Sequence, residues 1–450
     1  MSLARSSDRL PSPAETIVAI ATPPGRGGVG IVRVSGPDAI RIAEKLGRRA
    51  FQPRLATLTR FRSESGELLD EGLTITFEAG ASFTGEPVAE LQGHGGPIVL
   101  ERLVRAVIRE GARFARPGEF SERAFLNGRM DLVQAEAVAD LIASGTEAAA
   151  RGALRSLSGE FSQAVDSIAA ELRSIRVQLE ALIDFPDEEI DQALIDLSQA
   201  RLLELNTQLD ALINKARQGV RLTQGAVIAI VGQPNVGKSS LLNALAKEDA
   251  AIVTDIPGTT RDLVRVDLEL EGLPIRLLDT AGLRLTTDTV EQEGIRRALA
   301  VLPSADLVLV VRDARNSGED GLPSHWLSDV KQVLTVGNKA DLGASSSHNC
   351  DVLVSARTGE GLNALTRAIT AALGFQSEGS TFTARQRHVD LLERAVGHTA
   401  AASALLTTNL GIELMAEELR LAHERLGEIV GRVSADQLLG DIFSTFCIGK

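Results

Sequence analysis

The chain has 450 residues, enough for about two to four domains, and its 44% hydrophobic and 24% charged residues are typical of a soluble globular protein. Its formal net charge of −13 argues against broad electrostatic capture of nucleic acid, which needs a basic face. The two cysteines, Cys350 and Cys447, offer neither a disulfide framework nor metal-ligand spacing, and no apolar run reaches the ~20 residues of a membrane helix, so we expect a cytoplasmic protein without a membrane span.

The N-terminal region mixes short strand-like runs with a few helices. Residues 97–110 have the pattern of a helix, and short apolar runs between glycine- and proline-containing loops predict strands. The predicted strands are Thr16–Ala21, Gly30–Val34, Leu73–Phe77 and Val88–Leu91. This mixture predicts an α+β domain over residues 1–117.

From about Gly118 the pattern becomes helical. Apolar residues advance by three and four positions, which places them on one stripe of a long helix that must be buried. This stripe consists of Leu154, Leu157, Phe161, Val165, Ile168, Leu172, Ile175, Leu179 and Leu182. It ends near Asp184-Phe185-Pro186, because proline disfavours helix continuation.

The same spacing returns near the C-terminus, at Met415, Leu419, Ala422, Leu426 and Ile429. Neither stripe can stay exposed, so we expect residues 118–217 and 375–450 to pack together as two halves of one helical domain.

Residues 218–374, between the two halves, have the pattern of an α/β domain. Short apolar runs, mostly separated by helical segments, predict a mainly parallel sheet with crossover helices. These runs are Val227–Val231, Ile275–Leu278, Leu307–Val311, Val333–Val336 and Val352–Val354. The predicted fold is therefore multi-domain, with an all-α helical domain interrupted by an α/β insert.

A phosphate-binding motif follows the first of these runs. Gly232-Gln233-Pro234-Asn235-Val236-Gly237-Lys238-Ser239 matches G-x-x-x-x-G-K-[ST] between an apolar strand and a helix. Backbone N–H groups of such a loop close on phosphates, and Lys238 reaches the β- and γ-phosphates. The Ser239 hydroxyl is an oxygen ligand for Mg²⁺. Taken alone, the motif could still be a chance glycine loop.

Three further motifs remove that alternative. Asp279-Thr280-Ala281-Gly282 ends an apolar strand, so Asp279 can hold the metal through water while the Gly282 N–H meets the γ-phosphate. Thr260, in Gly258-Thr259-Thr260, is placed to be a second hydroxyl ligand of Mg²⁺. The third motif, Asn338-Lys339-Ala340-Asp341, follows the strand that begins at Val333.

The third motif predicts the choice of base. The carboxylate of Asp341 can accept from both the N1–H and the 2-amino group of guanine, a pair that adenine lacks. The Ser355-Ala356 turn offers a backbone N–H to guanine O6. The inserted domain is therefore predicted to be a Ras-like P-loop GTPase domain that binds GTP rather than ATP.

The residues offer several candidates for the group that orients the attacking water. Many small GTPases use a glutamine just after the D-x-x-G motif, but that position holds Leu283, which cannot orient water. Nearby polar candidates are Arg284, Asp288, Glu291 and Glu293. The sequence around Glu291 fits two roles equally well: a carboxylate at a helix N-terminus, where the helix dipole favours negative charge, or a catalytic residue.

The arrangement of the motifs is more specific than the motifs themselves. The GTPase domain (G domain) is internal to the chain. Its P-loop segment, Gly232 to Ser240, is followed within the same domain by the segment Thr254 to Asp262, and the chain ends in Phe446-Cys447-Ile448-Gly449-Lys450. Over essentially its whole length beyond the first dozen residues, the chain resembles the MnmE (TrmE) family, the tRNA uridine-34 modification GTPases. The other matching runs are Ala21 to Gly30, Ser82 to Gly96, Arg116 to Asn127 and Asp184 to Asp191.

This resemblance implies a GTP hydrolase that acts with an FAD- and NADH-dependent partner, MnmG, in a heterotetramer. Together the two proteins would add an aminomethyl or carboxymethylaminomethyl group to C5 of the wobble uridine of certain tRNAs. The one-carbon unit would come from 5-formyl- or methylene-tetrahydrofolate bound in the N-terminal domain. Family members form homodimers through that domain, and their G domains pair across the nucleotide when K⁺ is present.

The resemblance also assigns residues in the G domain. It implies that Asn235, Thr254, Ile256 and Thr259 surround K⁺, a cation that would stabilise charge as an arginine finger does. The family's catalytic glutamate falls on Glu291, beside Lys238 as the second catalytic residue of this domain. The predicted GTP contacts are Asn235, Val236, Gly237, Lys238, Ser239, Ser240, Thr254, Asp255, Ile256, Pro257, Gly258, Thr259, Thr260, Asp279, Thr280, Ala281, Gly282, Asn338, Lys339, Ala340, Asp341, Ser355, Ala356 and Arg357.

The folate contacts implied by the resemblance are Arg33, Glu90, Arg129 and Lys450. A carboxylate can accept hydrogen bonds from the N–H donors of a pterin, and basic side chains can form ion pairs with the carboxylates of a glutamate tail. Without the resemblance, Arg33 and Glu90 would be strand residues on a solvated face. The family often has lysine where Arg129 stands, and arginine has a different hydrogen-bond geometry.

The resemblance makes Cys447 a candidate catalytic residue, with Lys450 near enough in sequence to lower the pKa of its thiol. A lone cysteine near a chain end is, however, more often a small apolar packing residue.

Two other functions are compatible with the G domain alone. One is a regulatory G protein of the ribosome-assembly type without modification chemistry, and the other is a one-carbon transfer enzyme in which GTP is only regulatory. The folate-compatible charges and the cysteine-containing tail favour the modification enzyme.

Overall fold

The computed structural model describes residues 15–184, 192–248, 264–279, 302–315, 330–343, 350–375, 381–407, 411–432, 436–446 and 449. The chain divides into two compact units, residues 1–139 with 426–450, and residues 140–425. None of the described helices combines the length and the hydropathy that crossing a membrane requires. The predicted domain boundaries remain predictions.

The first unit is built on a six-stranded sheet. Its strands are β1 (Ile17–Ile20), β2 (Gly27–Ser35), β3 (Thr57–Arg62), β4 (Leu68–Phe77), β5 (Val88–Gly95) and β6 (Arg113–Phe114). The strand order is β3-β4-β5-β2-β1-β6, antiparallel throughout except for the parallel pair β1 and β6. The four strands predicted in this region are confirmed, whereas β3 and β6 were not predicted.

Two helices, α1 (Ala39–Gly47) and α2 (Pro97–Arg109), pack against this sheet, and α2 confirms the predicted helix. Val32 of β2 and Leu91 of β5 are fully buried in the core that the helices and the sheet share. Side chains alternate along a strand, so the neighbouring residues Arg33 and Glu90 lie on the opposite face of the sheet.

Helices α3 (Glu119–Leu126) and α4 (Leu132–Ala143) follow in the chain, and the C-terminal helix Asp436–Ser444 packs on α3 and the start of α4. The rings of Phe443 and Phe446 meet edge to face, with centroids 5.3 Å apart. Gly118 caps α3 with a φ of +67°, and a Cβ there would overlap the carbonyl oxygen of Phe443. This close approach explains the glycine, and the apolar packing around Phe443 and Phe446 stabilises the C-terminal helix in the first unit.

The second unit contains seven described helices, one of which runs on past residue 425. They are α5 (Glu147–Leu157), α6 (Glu160–Asp184), α7 (Gln192–Gln224), α8 (Lys238–Glu248), α9 (Leu362–Ala372), α10 (Gln386–Thr407) and α11 (Ile412–Val430). The five apolar residues predicted to form the C-terminal stripe lie on α11 and are all buried, as expected.

The prediction of one long helix beginning near Leu154 is wrong in one respect. The chain breaks between α5 and α6, where Gly159 adopts a φ of +92°, and Leu154 is 52% exposed. The apolar spacing runs on across the break, which is why periodicity alone does not reveal it. From Phe161 to Leu179 the stripe is buried on α6, which ends at Asp184 as predicted.

The second sheet lies in the same unit. Its strands are β7 (Ala226–Val231), β8 (Val264–Leu270), β9 (Leu273–Asp279), β10 (Leu307–Asp313), β11 (Val333–Asn338) and β12 (Val352–Leu353), in the order β12-β11-β10-β7-β9-β8. All pairs are parallel except β8 with β9, which confirms the predicted mainly parallel sheet. In a parallel sheet the carboxyl ends of the strands share one edge, where ligands bind.

Candidate nucleotide site and the predicted folate contacts

The loop between β7 and α8 has the geometry of a phosphate-binding loop. Gly232 and Gly237 adopt φ values of +152° and +95°. A Cβ at Gly232 would overlap the carbonyl oxygen of Val311, and one at Gly237 would overlap Nδ2 of Asn338. Both positions therefore require glycine, for the backbone conformation and for the space.

The motif lysine lies inside this loop. Lys238 is buried, and its Nζ donates to the carbonyl oxygens of Gly232 at 2.8 Å and Gln233 at 3.0 Å. Ser239 and Ser240 are exposed in the first turn of α8. A buried ammonium beside a helix N-terminus is an arrangement that receives phosphate.

Asn338 joins this loop to the segments predicted to bind the base. Its Nδ2 donates to the carbonyl oxygen of Val236 at 2.9 Å, and its Oδ1 accepts from the backbone N of Lys339 at 2.8 Å and of Ala356 at 3.0 Å. One buried side chain thus connects the end of β11, the P-loop and the Ser355-Ala356 turn.

Lys339 makes a second connection to the P-loop. Its backbone is left-handed, with a φ of +65°, and its Nζ donates to the carbonyl oxygen of Asn235 at 2.6 Å. Asn235 is itself left-handed, with a φ of +62°, a conformation that asparagine tolerates better than most residues, and its side chain is exposed. Lys339 Nζ also donates to Oδ2 of Asp313 at 2.9 Å.

Asp313, which ends β10 beside these groups, is not among the residues predicted for this site. A signal does exist, since the carboxylate of Asp313 ends a strand that begins with five apolar residues, Leu307–Val311, at the edge where ligands bind to parallel sheets. Hydrogen bonds from Arg315, followed by those from Lys339, hold the pKa of the Asp313 carboxyl well below its usual range although burial raises it.

Two of the residues predicted to contact guanine, Asp341 and Ser355, are hydrogen-bonded to each other. Asp341 is exposed in a short 3-10 turn, and its Oδ1 accepts from Oγ of Ser355 at 2.7 Å. The backbone N of Ser355 donates to Glu360, and that of Ala356 donates to Asn338. The predicted contact to guanine O6 would therefore use the backbone N–H of Arg357, or an Ala356 N–H that also donates to Asn338.

Several predicted residues lie outside the described part of the chain. β9 ends at Asp279, whose backbone is described and whose side chain is not. The predicted site residues that lie outside the described part of the chain are Thr254, Asp255, Ile256, Pro257, Gly258, Thr259, Thr260, Thr280, Ala281, Gly282, Glu291, Cys447 and Lys450.

In the first unit, two of the four residues implied as folate contacts form an ion pair. Arg33 and Glu90 are direct partners across β2 and β5, with Nη2 2.9 Å and Nε 3.1 Å from Oε1. The guanidinium lies 5.7 Å from the ring centroid of Phe83 and 6.0 Å from that of Phe120. Both paired side chains are partly buried rather than on a freely solvated face.

The other two predicted folate contacts are Arg129 and Lys450, of which the structure describes Arg129. A Cβ built on Gly85, in the loop that also carries Phe83, would lie 3.2 Å from Cγ of Arg129. Gly449, which precedes Lys450, has a φ of +98°, and a Cβ there would overlap the carbonyl oxygen of Ile20 on β1. The C-terminal tail therefore reaches the sheet that carries Arg33.

The parallel sheet, the glycine-bounded phosphate loop and the Asn-Lys-x-Asp contacts define a P-loop GTPase. Residues 132–447 match the family model described as "MnmE helical domain", and residues 16–129 match "GTP-binding protein TrmE N-terminus". The chain belongs to the MnmE family, and its multi-domain fold of α+β, helical and inserted α/β GTPase parts is confirmed.

Curated relatives are similar over nearly their whole length. A protein of Azoarcus sp. (strain BH72) is 50% identical over 99% of this chain and 100% of its own, and one of Alkalilimnicola ehrlichii is 50% identical over 97% and 99%. A protein of Thiobacillus denitrificans is also 50% identical, over 98% and 99%. All three are named tRNA modification GTPase MnmE.

Proposed function

We propose that this protein is a potassium-dependent GTPase that, with an FAD- and NADH-dependent partner of the MnmG type, adds an aminomethyl or carboxymethylaminomethyl group to C5 of the wobble uridine, position 34, of certain tRNAs. The observation that carries the proposal is that the likeness extends through residues 16–129 and 132–447. A G domain alone is shared with regulatory switches, so a match confined to it would not identify a modification enzyme.

The nucleotide site supports GTP as the substrate. Lys238 would exchange its loop carbonyls for the β- and γ-phosphates, and Asp341 would accept from guanine. Ser239 and Thr260 would hold Mg²⁺, with Asp279 acting through water, which suits the preference of this ion for oxygen ligands. When bound, Mg²⁺ would neutralise charge on the transferred phosphoryl group.

Potassium dependence is proposed from the family positions. Asn235 is an exposed residue of the P-loop whose side chain carries an oxygen suited to K⁺, and Thr254, Ile256 and Thr259 would supply the other oxygens. Bound K⁺ would offset charge that develops during hydrolysis. Glu291 would orient the attacking water, so Glu291→Ala should bind GTP normally and lose turnover.

Folate binding is proposed for the first unit. The Arg33–Glu90 pair lies beside Phe83, so a pterin would find a carboxylate for its N–H groups and an aromatic neighbour. Arg129 and Lys450 would receive the carboxylates of the glutamate tail of 5-formyl- or methylene-tetrahydrofolate. Cys447 is proposed as a catalytic residue in the same tail, and Cys447→Ser should then lose modification while GTP turnover is kept.

The proposed assembly is a homodimer that joins the FAD-dependent partner in a heterotetramer and acts on tRNA in the cytoplasm. Potassium-stimulated pairing of the G domains would link hydrolysis to this assembly. Size measurements of the chain with GDP and aluminium fluoride, in KCl and in NaCl, test the pairing directly.

The decisive experiment is mass spectrometry of wobble uridine in tRNA from a deletion strain, with and without the restored gene. Loss of the C5 substituent on deletion, and its return on complementation, supports the proposal. Intact modification in the deletion strain would instead indicate a regulatory switch of the ribosome-assembly type. GTP turnover of the purified chain in KCl compared with NaCl then tests the potassium dependence separately.

A further inference from the structure

Asp313 is a nearly buried carboxylate at the nucleotide edge of the second sheet, and its side chain is only 7% exposed. Its Oδ2 accepts from Nζ of Lys339 at 2.9 Å and from Nη2 of Arg315 at 2.8 Å. Its Oδ1 accepts from Nε and from the backbone N of Arg315, at 3.0 and 3.1 Å. The carboxylate therefore has two different basic partners, and only one of them leads to the P-loop.

Lys339 is the partner that leads there, because the same Nζ also donates to the carbonyl oxygen of Asn235. A lysine ammonium is a point charge on a flexible four-carbon stem, so its resting place depends on the groups that hold it. Asp313 is fixed at the end of β10, between the parallel neighbours β7 and β11. It can therefore fix the ammonium with respect to the sheet.

We propose that Asp313 is a positioning residue for guanine-nucleotide binding: it holds the Lys339 ammonium against the Asn235 carbonyl and so keeps the P-loop in its binding shape. Asp313 acts through Lys339 and does not itself touch the nucleotide. The inference rests on the proposed GTPase function and extends it to K⁺, since Asn235 is the proposed K⁺ ligand of the P-loop.

The electrostatics agree with this role. The Asp313 carboxyl stays ionised throughout the neutral range because its basic partners lower its pKa. The Lys339 side chain is only 27% exposed, so removal of the carboxylate would leave a partly buried ammonium without its counter-charge. The ammonium would then move toward water, away from the Asn235 carbonyl.

The test compares Asp313→Asn, which keeps the shape and removes the charge, with the matched control Arg315→Gln. The control breaks the other ion pair of the same carboxylate and leaves the lysine pair in place. We expect Asp313→Asn to weaken binding of a fluorescent GDP analogue about tenfold. It should also raise the K⁺ concentration for half-maximal GTP turnover. Arg315→Gln should change either quantity by less than about twofold.

The half-maximal K⁺ concentration does not depend on the fraction of folded protein, so it separates positioning from a loss of stability. A double-mutant cycle with Lys339→Met adds a second test, because Asp313→Asn should have almost no further effect once the ammonium is gone. An equal loss in Arg315→Gln, or an undiminished effect in Lys339→Met, overturns the inference. If the wild-type chain binds no guanine nucleotide, the proposed function is overturned as well. If the wild type binds the nucleotide and Asp313→Asn binds it equally tightly, this inference alone is overturned.

Discussion

The Nδ2 atom of Asn338 lies 2.9 Å from the carbonyl oxygen of Val236, so a side chain at the end of β11 holds the P-loop directly. The Oδ1 atom of the same amide accepts from the backbone N of Ala356 at 3.0 Å. The phosphate-binding and base-binding segments are therefore joined through one buried group, and displacement of either one disturbs the other.

Replacement of this amide should weaken nucleotide binding and the fold together. Asn338→Ala leaves the Val236 carbonyl and the Ala356 N–H without their partner, at a cost of about 1–3 kcal/mol each where they are buried. We expect the affinity for GDP to fall at least about tenfold and the unfolding temperature to decrease. The control Asn127→Ala removes a 2.7 Å bond to the Thr84 carbonyl in the other unit, and its GDP affinity should be that of the wild type. Equal affinities in the two variants would contradict the joining role.

Much of this site could be predicted because its chemistry is local in sequence. The P-loop and the Asn338–Asp341 segment each place several functional groups within a few residues, and the apolar runs before them identify the strands. Asp313 belongs to no such motif. Its importance arises from the pairing of β10 with β11, which brings Asp313 beside Asn338 in register and next to Lys339.

The missed elements of the fold have physical explanations of the same kind. β8 alternates apolar and polar residues as an edge strand does, so it contains no continuous apolar run that would predict a strand. The break at Gly159 leaves the three-four apolar spacing intact and is visible only in the backbone conformation. The ion pair of Arg33 with Glu90 depends on the register of β2 against β5, which composition does not reveal.

A single substitution should change the base preference. In Asp341→Asn the amide keeps one acceptor, which can still receive Oγ of Ser355, and gains a donor. One of the two guanine N–H groups then loses its acceptor on residue 341. Xanthine has a carbonyl at C2 in place of the 2-amino group, and this carbonyl can accept from the new amide donor. We expect the ratio of GTP to XTP turnover efficiency to fall about a hundredfold. The control Asp351→Asn alters another carboxylate that accepts a backbone N–H, from Thr335, and should leave the preference unchanged.

The second P-loop glycine offers a test of close packing. Gly237→Ala combines a φ of +95° with a Cβ that overlaps Nδ2 of Asn338, so the loop or the amide must move. We expect at least about a tenfold loss of GDP affinity. Gly374→Ala is a matched control, since it has a φ of +65° and open space around the added carbon. It should cost about 1 kcal/mol of unfolding free energy without changing the affinity. Similar affinities for both variants would show that the overlap is relieved without cost.

The folate proposal can be tested on the ion pair of the first sheet. Glu90→Gln keeps the size of the side chain but replaces a carboxylate, which only accepts hydrogen bonds, with an amide. Calorimetry should therefore show that the binding of 5-formyltetrahydrofolate is weakened about tenfold. GTP turnover should not change, because the GTP site is in the other unit. The control is Glu71→Gln, whose cross-strand partner is Arg60 on the same sheet and whose pair is solvent-exposed. Unchanged folate binding in Glu90→Gln would remove this residue from the proposed site.

The buried carboxylate of Glu119 gives a pH-dependent prediction. Burial raises its pKa, but hydrogen bonds from Arg113, from the backbone N of Arg116 and from Arg123 outweigh burial and lower the pKa to about 2. The side chain has no exposed surface, and its oxygens lie 2.6 and 2.8 Å from Arg113 and 3.0 Å from Arg123. The ionised form is therefore the one that the folded chain stabilises.

Because the pKa in the folded chain is below the ordinary value of 4.5, the contribution of Glu119 to the unfolding free energy is complete above pH 4.5. It is lost as the pH falls from there towards 2. Glu119→Gln should therefore destabilise the chain by roughly 3 kcal/mol at pH 7. The gap to the wild type, measured by urea unfolding at several pH values, should narrow below pH 4.5. Glu101→Gln breaks an exposed helical pair with Arg105 and should cost less than about 0.5 kcal/mol at pH 7. A gap for Glu119→Gln that stays constant down to pH 3 would mean that the arginines stabilise the neutral side chain as well as the charged one, and would refute the electrostatic explanation.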